Sequence, residues 1–200
     1  MKYLFFLLSL LSVRSYAQDF KSTIAAHREQ YKQDFVKDAH SPLKEADLQY
    51  LNFFDADSTY AVTAAVEPLQ NQQSFMMLTS AGTKAEYIRY AHVKFVLNGK
   101  PQKLTLYQSI SLSKRPGFED YLFLPFKDET NDKESYGAGR YIDLKTGDIK
   151  DGRVLIDFNK AYNPYCAYSA GYQCPMPPAE NDLETDIKAG EKQFTGVKKH

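Results

Sequence analysis

Apolar and polar positions alternate with two different periods along this chain, and one stretch has no period at all. From Asp19 to Lys37, apolar residues Phe20, Ile24, Tyr31 and Phe35 recur at helical spacing, while His27, Arg28, Glu29, Lys32 and Asp34 face away. The pattern predicts a helix with one modest apolar stripe. Ser41-Pro42-Leu43 stops it, because the residue before proline avoids the helical region. A second apolar patch, residues 48–54, ends in the turn-forming cluster Asp55-Ala56-Asp57-Ser58.

Period two then takes over. Strands are expected at residues 59–66, 74–79, 84–90, 93–97, 103–110, 121–126, 140–144 and 153–158. Asn98-Gly99 is a hairpin turn signal, because both residues tolerate the positive φ that such turns need. Asn181-Asp182-Leu183-Glu184 has capping-box spacing behind Pro177-Pro178, with Gly190 further on, and predicts a C-terminal helix. The expected fold class is α+β. A mainly antiparallel sheet curls as a barrel or sandwich, with one helix at each end of the chain.

The aperiodic stretch is residues 157–181. It holds both cysteines, four of the nine prolines and a dense set of Tyr, Asn and Asp. Proline removes backbone donors, and Asn and Asp favour turns, so a long specifically folded loop is expected here. Cys166 and Cys174 form an even pair, which favours a disulfide if the chain is exported; two buried thiols are the alternative. The pair lacks the Cys-x-x-Cys spacing of redox sites.

Hydrophobicity of the first residues bears on that point. Lys2 is a minimal basic n-region, residues 3–13 are apolar, and Ser15-Tyr16-Ala17 presents small residues where a signal peptidase reads. The apolar run is shorter than the roughly 20 residues a spanning helix needs. The expectation is a signal peptide at 1–17, cleavage after Ala17, export to the periplasm or medium, and one domain over 18–200 with no membrane span.

Composition changes the picture little. With 25 basic and 25 acidic residues, formal charge is zero, and there is no electrostatic footprint for nucleic acid or an anionic membrane. The high Tyr and Phe content, 15 and 13 residues, agrees with a sheet.

Familiar chemistries are then set aside. The acidic run from Asp128 to Glu134 resembles a calcium loop, but an EF-hand starting at Asp128 needs glycine at Lys133 and a carboxylate at Gly139. His27, His40, His92 and His200 are scattered, and the cysteines lack zinc-knuckle spacing. No P-loop or Gly-x-Ser-x-Gly elbow occurs. No metal and no cofactor are assigned.

Residues 128–141 (D-E-T-N-D-K-E-S-Y-G-A-G-R-Y), 157–168 (D-F-N-K-A-Y-N-P-Y-C-A-Y) and 174–181 (C-P-M-P-P-A-E-N), with Ala189-Gly190-Glu191, together resemble the domain of unknown function 1684 family (DUF1684). Departures are Asp132 for glycine, Tyr165 for proline and Met176 for leucine. The resemblance implies no activity. It concentrates attention on Arg140, Tyr141, Asp157, Asn159, Tyr162, Asn163, Cys166, Cys174, Glu180, Asn181 and Glu191.

Two function classes follow. One is a non-catalytic exported module that binds a small polar ligand or an envelope partner through Arg140, Tyr141, Asp157, Asn159, Tyr162, Asn163 and Glu180. The other is a hydrolase or transferase with Asp157 or Glu180 as acid/base and Arg140 stabilising an anion. Such polar residues also serve to satisfy the backbone of a proline-rich loop. If strands 140–144 and 153–158 form a simple hairpin, Arg140 stands opposite Asp157 on one face, as a buried pair at the floor of the site.

Overall fold

The computed structural model describes residues 2–199, with side chains from residue 18 onward. Helix α1 spans Lys2–Lys37. The expected signal segment, 1–17, lies outside the residues whose side chains are described. Among the described residues, no helix is long and apolar enough to cross a membrane.

Eight strands follow: β1 (Ala61–Pro68), β2 (Phe75–Leu78), β3 (Lys84–Leu97), β4 (Lys100–Ser109), β5 (Tyr121–Asp128), β6 (Arg140–Lys145), β7 (Arg153–Asp157) and β8 (Asp182–Leu183). They form one sheet in the order β6-β5-β4-β3-β1-β7, with β2 on β3 and β8 parallel to β5. The other pairings are antiparallel. The sheet curls into a half-barrel, open along a seam between its end strands β6 and β7.

Local chemistry explains most of this. Asn98 and Gly99 take φ of 52° and 74° and turn β3 into β4. The expected strands at 84–90 and 93–97 are one strand, β3, with a register irregularity between Arg89 and Ala91. That irregularity bends β3 and divides its outer edge between two partners, β2 below and β1 above.

Period-two alternation gives the sheet two unlike faces. Leu104, Leu106, Leu122, Leu124, Ile142, Leu144, Val154 and Ile156 fill the inside of the curl. Tyr87, Tyr107, Phe123 and Tyr141 pave the outside, together with Met77. The inner core is mainly aliphatic, with Phe95, Phe126 and Phe158 packed within it. The outer, aromatic face is covered by the proline-rich loop, whose Pro175 carbonyl accepts from the Tyr141 hydroxyl.

Two expectations are corrected. Among the described residues there is no C-terminal helix: those after Pro178 form a short 3-10 turn, Ala179–Asn181, then β8 and irregular chain. The physical reason is that the carbonyls of Ile187, Ala189 and Glu191, which a helix would use internally, accept instead from the Arg140 guanidinium. Asn181 is therefore no helix cap. The second correction concerns β6 and β7, which are not a hairpin. β6 pairs with β5 and β7 with β1, so the connection between them crosses the seam. Ile142 points into the core while Leu155 is 54% exposed, so Arg140 and Asp157 lie on different faces and do not pair.

Candidate functional site

Between the seam edges lies a cavity of about 940 Å³. Its walls come from five places, one of them the β6–β7 connection with Asp148 and Lys150. β6 contributes Tyr141 and Asp143, β7 contributes Leu155 and Asp157, α1 contributes His27, Tyr31 and Phe35, and the proline-rich loop contributes Tyr162, Tyr165 and Tyr172. The loop is held in place by a Cys166–Cys174 disulfide, with Cα atoms 6.3 Å apart.

Asp143 is the central polar group. Tyr121 and Tyr162 both donate to its Oδ1, each at 2.7 Å. The protein packed around it raises its pKa above the ordinary carboxylate value, and the two phenol donors only partly offset this. The same crowding, with the nearby carboxylate, drives the Tyr121 and Tyr162 pKa values upward, so both phenols stay protonated donors. Aromatic rings continue outward: Tyr162 lies 5.8 Å from Tyr141 and 6.0 Å from Tyr31, centroid to centroid.

The seven residues expected at the site are not gathered in one place. Tyr141, Asp157 and Tyr162 line the cavity. Asp157 Oδ1 accepts from the Asn159 amide N–H and from its Nδ2, at 3.0 and 2.9 Å. Asn159 itself is buried and clamps the backbone of Asp57 through both ends of its side-chain amide. Asn163 is buried, donating from Nδ2 to the Lys192 carbonyl. Glu180 stands away from the cavity, paired with Arg89 at 2.6 Å and accepting from the Tyr107 hydroxyl. The bond from Arg89 keeps its pKa below the usual carboxylate value.

Arg140 is fully buried, and both of its Nη atoms are committed to the fold, while Nε has no hydrogen-bond partner among the described residues. Its Nη2 pairs with Asp128 at 2.7 Å and donates to the Ile187 carbonyl at 2.8 Å, while Nη1 reaches Ala189 and Glu191. Asp128 in turn accepts from the Thr130 hydroxyl and amide and from the Ile187 amide. The acidic run that resembles a calcium loop is thus a turn built around an arginine. Its Asp132, standing where the resemblance has glycine, takes a φ of 62°.

A second buried carboxyl escaped the sequence-based choice of site residues. Glu191 is wholly buried and accepts from the Tyr168 hydroxyl at 2.7 Å, the Tyr31 hydroxyl at 3.0 Å and the Asn163 amide at 2.9 Å. Burial outweighs these donors and lifts its pKa to about 7. It ties α1 to the loop behind the cavity. Asp143 also escaped notice, because one aspartate among alternating strand residues carries no local signal. Tyr31 had one, its place on the apolar stripe of α1.

Comparison with known proteins fits this geometry to a family. The family model described as protein of unknown function (DUF1684) matches residues 46–192. The chain belongs to the DUF1684 family. Matched residues include β1–β8, the proline-rich loop and the Arg140 and Glu191 nodes. A solution NMR structure of an uncharacterized protein from Haloarcula marismortui is similar to this DUF1684 chain, with 32% identity and a TM-score of 0.67. The match covers 89% of this chain and 96% of that one. No curated protein matches.

Proposed function

We propose that this DUF1684 protein is an exported, non-catalytic module that binds a small polar ligand in the seam cavity. The observation that carries the reading is the cavity itself. Its volume of about 940 Å³ falls at the upper end of ligand pockets, and it follows their usual plan of apolar walls with a few convergent polar groups. Export is supported by the apolar N-terminal segment and by a disulfide, a bond that persists in oxidising compartments. Catalysis by the candidates chosen from sequence is disfavoured. Asp157 lines the cavity, but Glu180 lies elsewhere, and Arg140 is buried away from the cavity with both Nη atoms committed to the fold.

A thermal-shift screen of the exported protein against polar metabolites tests the reading. A ligand at 100 times its Kd raises stability by about 2.7 kcal/mol. Leu155→Arg, at an exposed position on the cavity wall, should abolish the shift without lowering the melting point of the free protein. A broad screen with no shift, or shifts indifferent to Leu155→Arg, overturns it. N-terminal analysis of the exported chain should begin at Gln18; retention of residues 1–17 overturns export.

A further inference from the structure

Asp143 is a carboxylate held in place at the cavity without an ion pair. Asp128 is neutralised by Arg140 and Glu180 by Arg89. Asp143 has no such partner: among the described residues, no lysine or arginine nitrogen forms a salt bridge with it. Its Oδ1 is held by two neutral phenols, and Oδ2 receives no hydrogen bond from the described residues. Asp143 also remains open to the cavity instead of being sealed in the core. A carboxylate that is exposed to a cavity, oriented by two phenols and free of any ion pair within the described residues is placed to receive a cation from outside.

The rest of the wall has the same sign. Four aspartates, Asp34, Asp143, Asp148 and Asp157, line the cavity against two lysines, Lys150 and Lys160. Both lysines are exposed, as are Asp34, Asp143 and Asp148, so the excess of acid lies on the water-facing side of the wall. His27, the remaining titratable nitrogen there, has its pKa lowered by burial and by Lys160, so it adds little positive charge at neutral pH. The Tyr141, Tyr162 and Tyr31 rings beside Asp143 offer faces that attract cations.

We propose that the seam cavity takes a small organic cation, whose ammonium group sits on Asp143 Oδ2 against these tyrosine rings. This rests on the cavity reading above and gives the chemical class of its ligand. A neutral polar ligand would leave the Asp143 charge uncompensated, and an anion would meet it head-on.

NMR titration of the exported protein tests the assignment with three probes: choline, putrescine, and 3,3-dimethylbutan-1-ol, the neutral isostere of choline. At least one cation should perturb amides of β6 and of residues 162–175, with the isostere tenfold weaker or silent. Asp143→Asn should weaken the cation at least tenfold. The charge comparison on the unaltered protein stands even if that variant folds poorly. If the isostere binds as well as choline, or if neutral or anionic metabolites fill the cavity and neither cation does, the cationic assignment fails and the cavity reading survives. If no probe or metabolite perturbs cavity amides, both fall.

Discussion

Asn181 fills with its side chain the gap that Pro125 makes in the sheet. Pro125 has no N–H to give, and β4 and β5 register directly only at Tyr107 and Phe123. The Asn181 amide enters between the strands, donating to the Pro125 carbonyl at 2.7 Å and the Thr105 carbonyl at 2.9 Å. Its Oδ1 accepts from the Thr105 amide at 2.7 Å. Asn181→Ala would leave three buried backbone groups without partners, each worth about 1–3 kcal/mol. Chemical denaturation should show a loss of roughly 3–5 kcal/mol. A loss near 1 kcal/mol, the usual worth of an exposed cap, would mean water replaces the amide.

Arg140→Ala removes one partner of a buried pair and should cost roughly 3–5 kcal/mol. Arg140→Lys should recover little, since one ammonium cannot serve Asp128 and the carbonyls of Ile187, Ala189 and Glu191 together. A lysine variant as stable as the parent in urea titration would contradict this account.

Glu191 sets a pH dependence of definite sign. Its folded pKa, about 7, lies above the ordinary value of 4.5, so the folded protein binds this proton more tightly than the unfolded chain. The resulting stabilisation is complete below pH 4.5 and is lost as pH rises through 7. The span corresponds to about 3 kcal/mol. Glu191→Gln should show a smaller fall between those limits, and the difference between the two proteins isolates the Glu191 contribution from other titrating groups. Parallel stability–pH curves would refute it.

Alkylation of the exported, unfolded protein without reductant should modify neither Cys166 nor Cys174. Reduction should cost about 2–3 kcal/mol, the chain-entropy value for so short a loop. Two modified thiols in the unreduced protein would count against the disulfide.

The sheet was legible where neighbours in sequence decide the outcome. Leu104/Leu106 and Leu122/Leu124 alternate cleanly into the core, and Asn98-Gly99 turns the chain as their backbone freedom predicts. What failed depended on contacts distant in sequence. The capping-box spacing at Asn181–Glu184 was sound local chemistry, overruled by Thr105, Pro125 and Arg140. Arg140 was singled out for a site, yet its true partner Asp128 lies in a run that resembles a metal loop. Of the seven expected site residues, the three that line the cavity share no motif distinct from the four that are engaged elsewhere in the fold. A polar side chain satisfying a loop and one facing a ligand look alike until the fold places them.

The Arg140 and Glu191 nodes also govern the order of events in synthesis. Arg140 lies in the core strand β6, yet three of its acceptors belong to residues 187–191. Tyr31, on α1, finds its carboxylate only at Glu191. A nascent chain released as far as β7 therefore carries a buried cation short of acceptors and a first helix without its anchor. Completion must wait until residue 191 has left the ribosome. A polypeptide with that requirement cannot complete its fold while it is still being elongated.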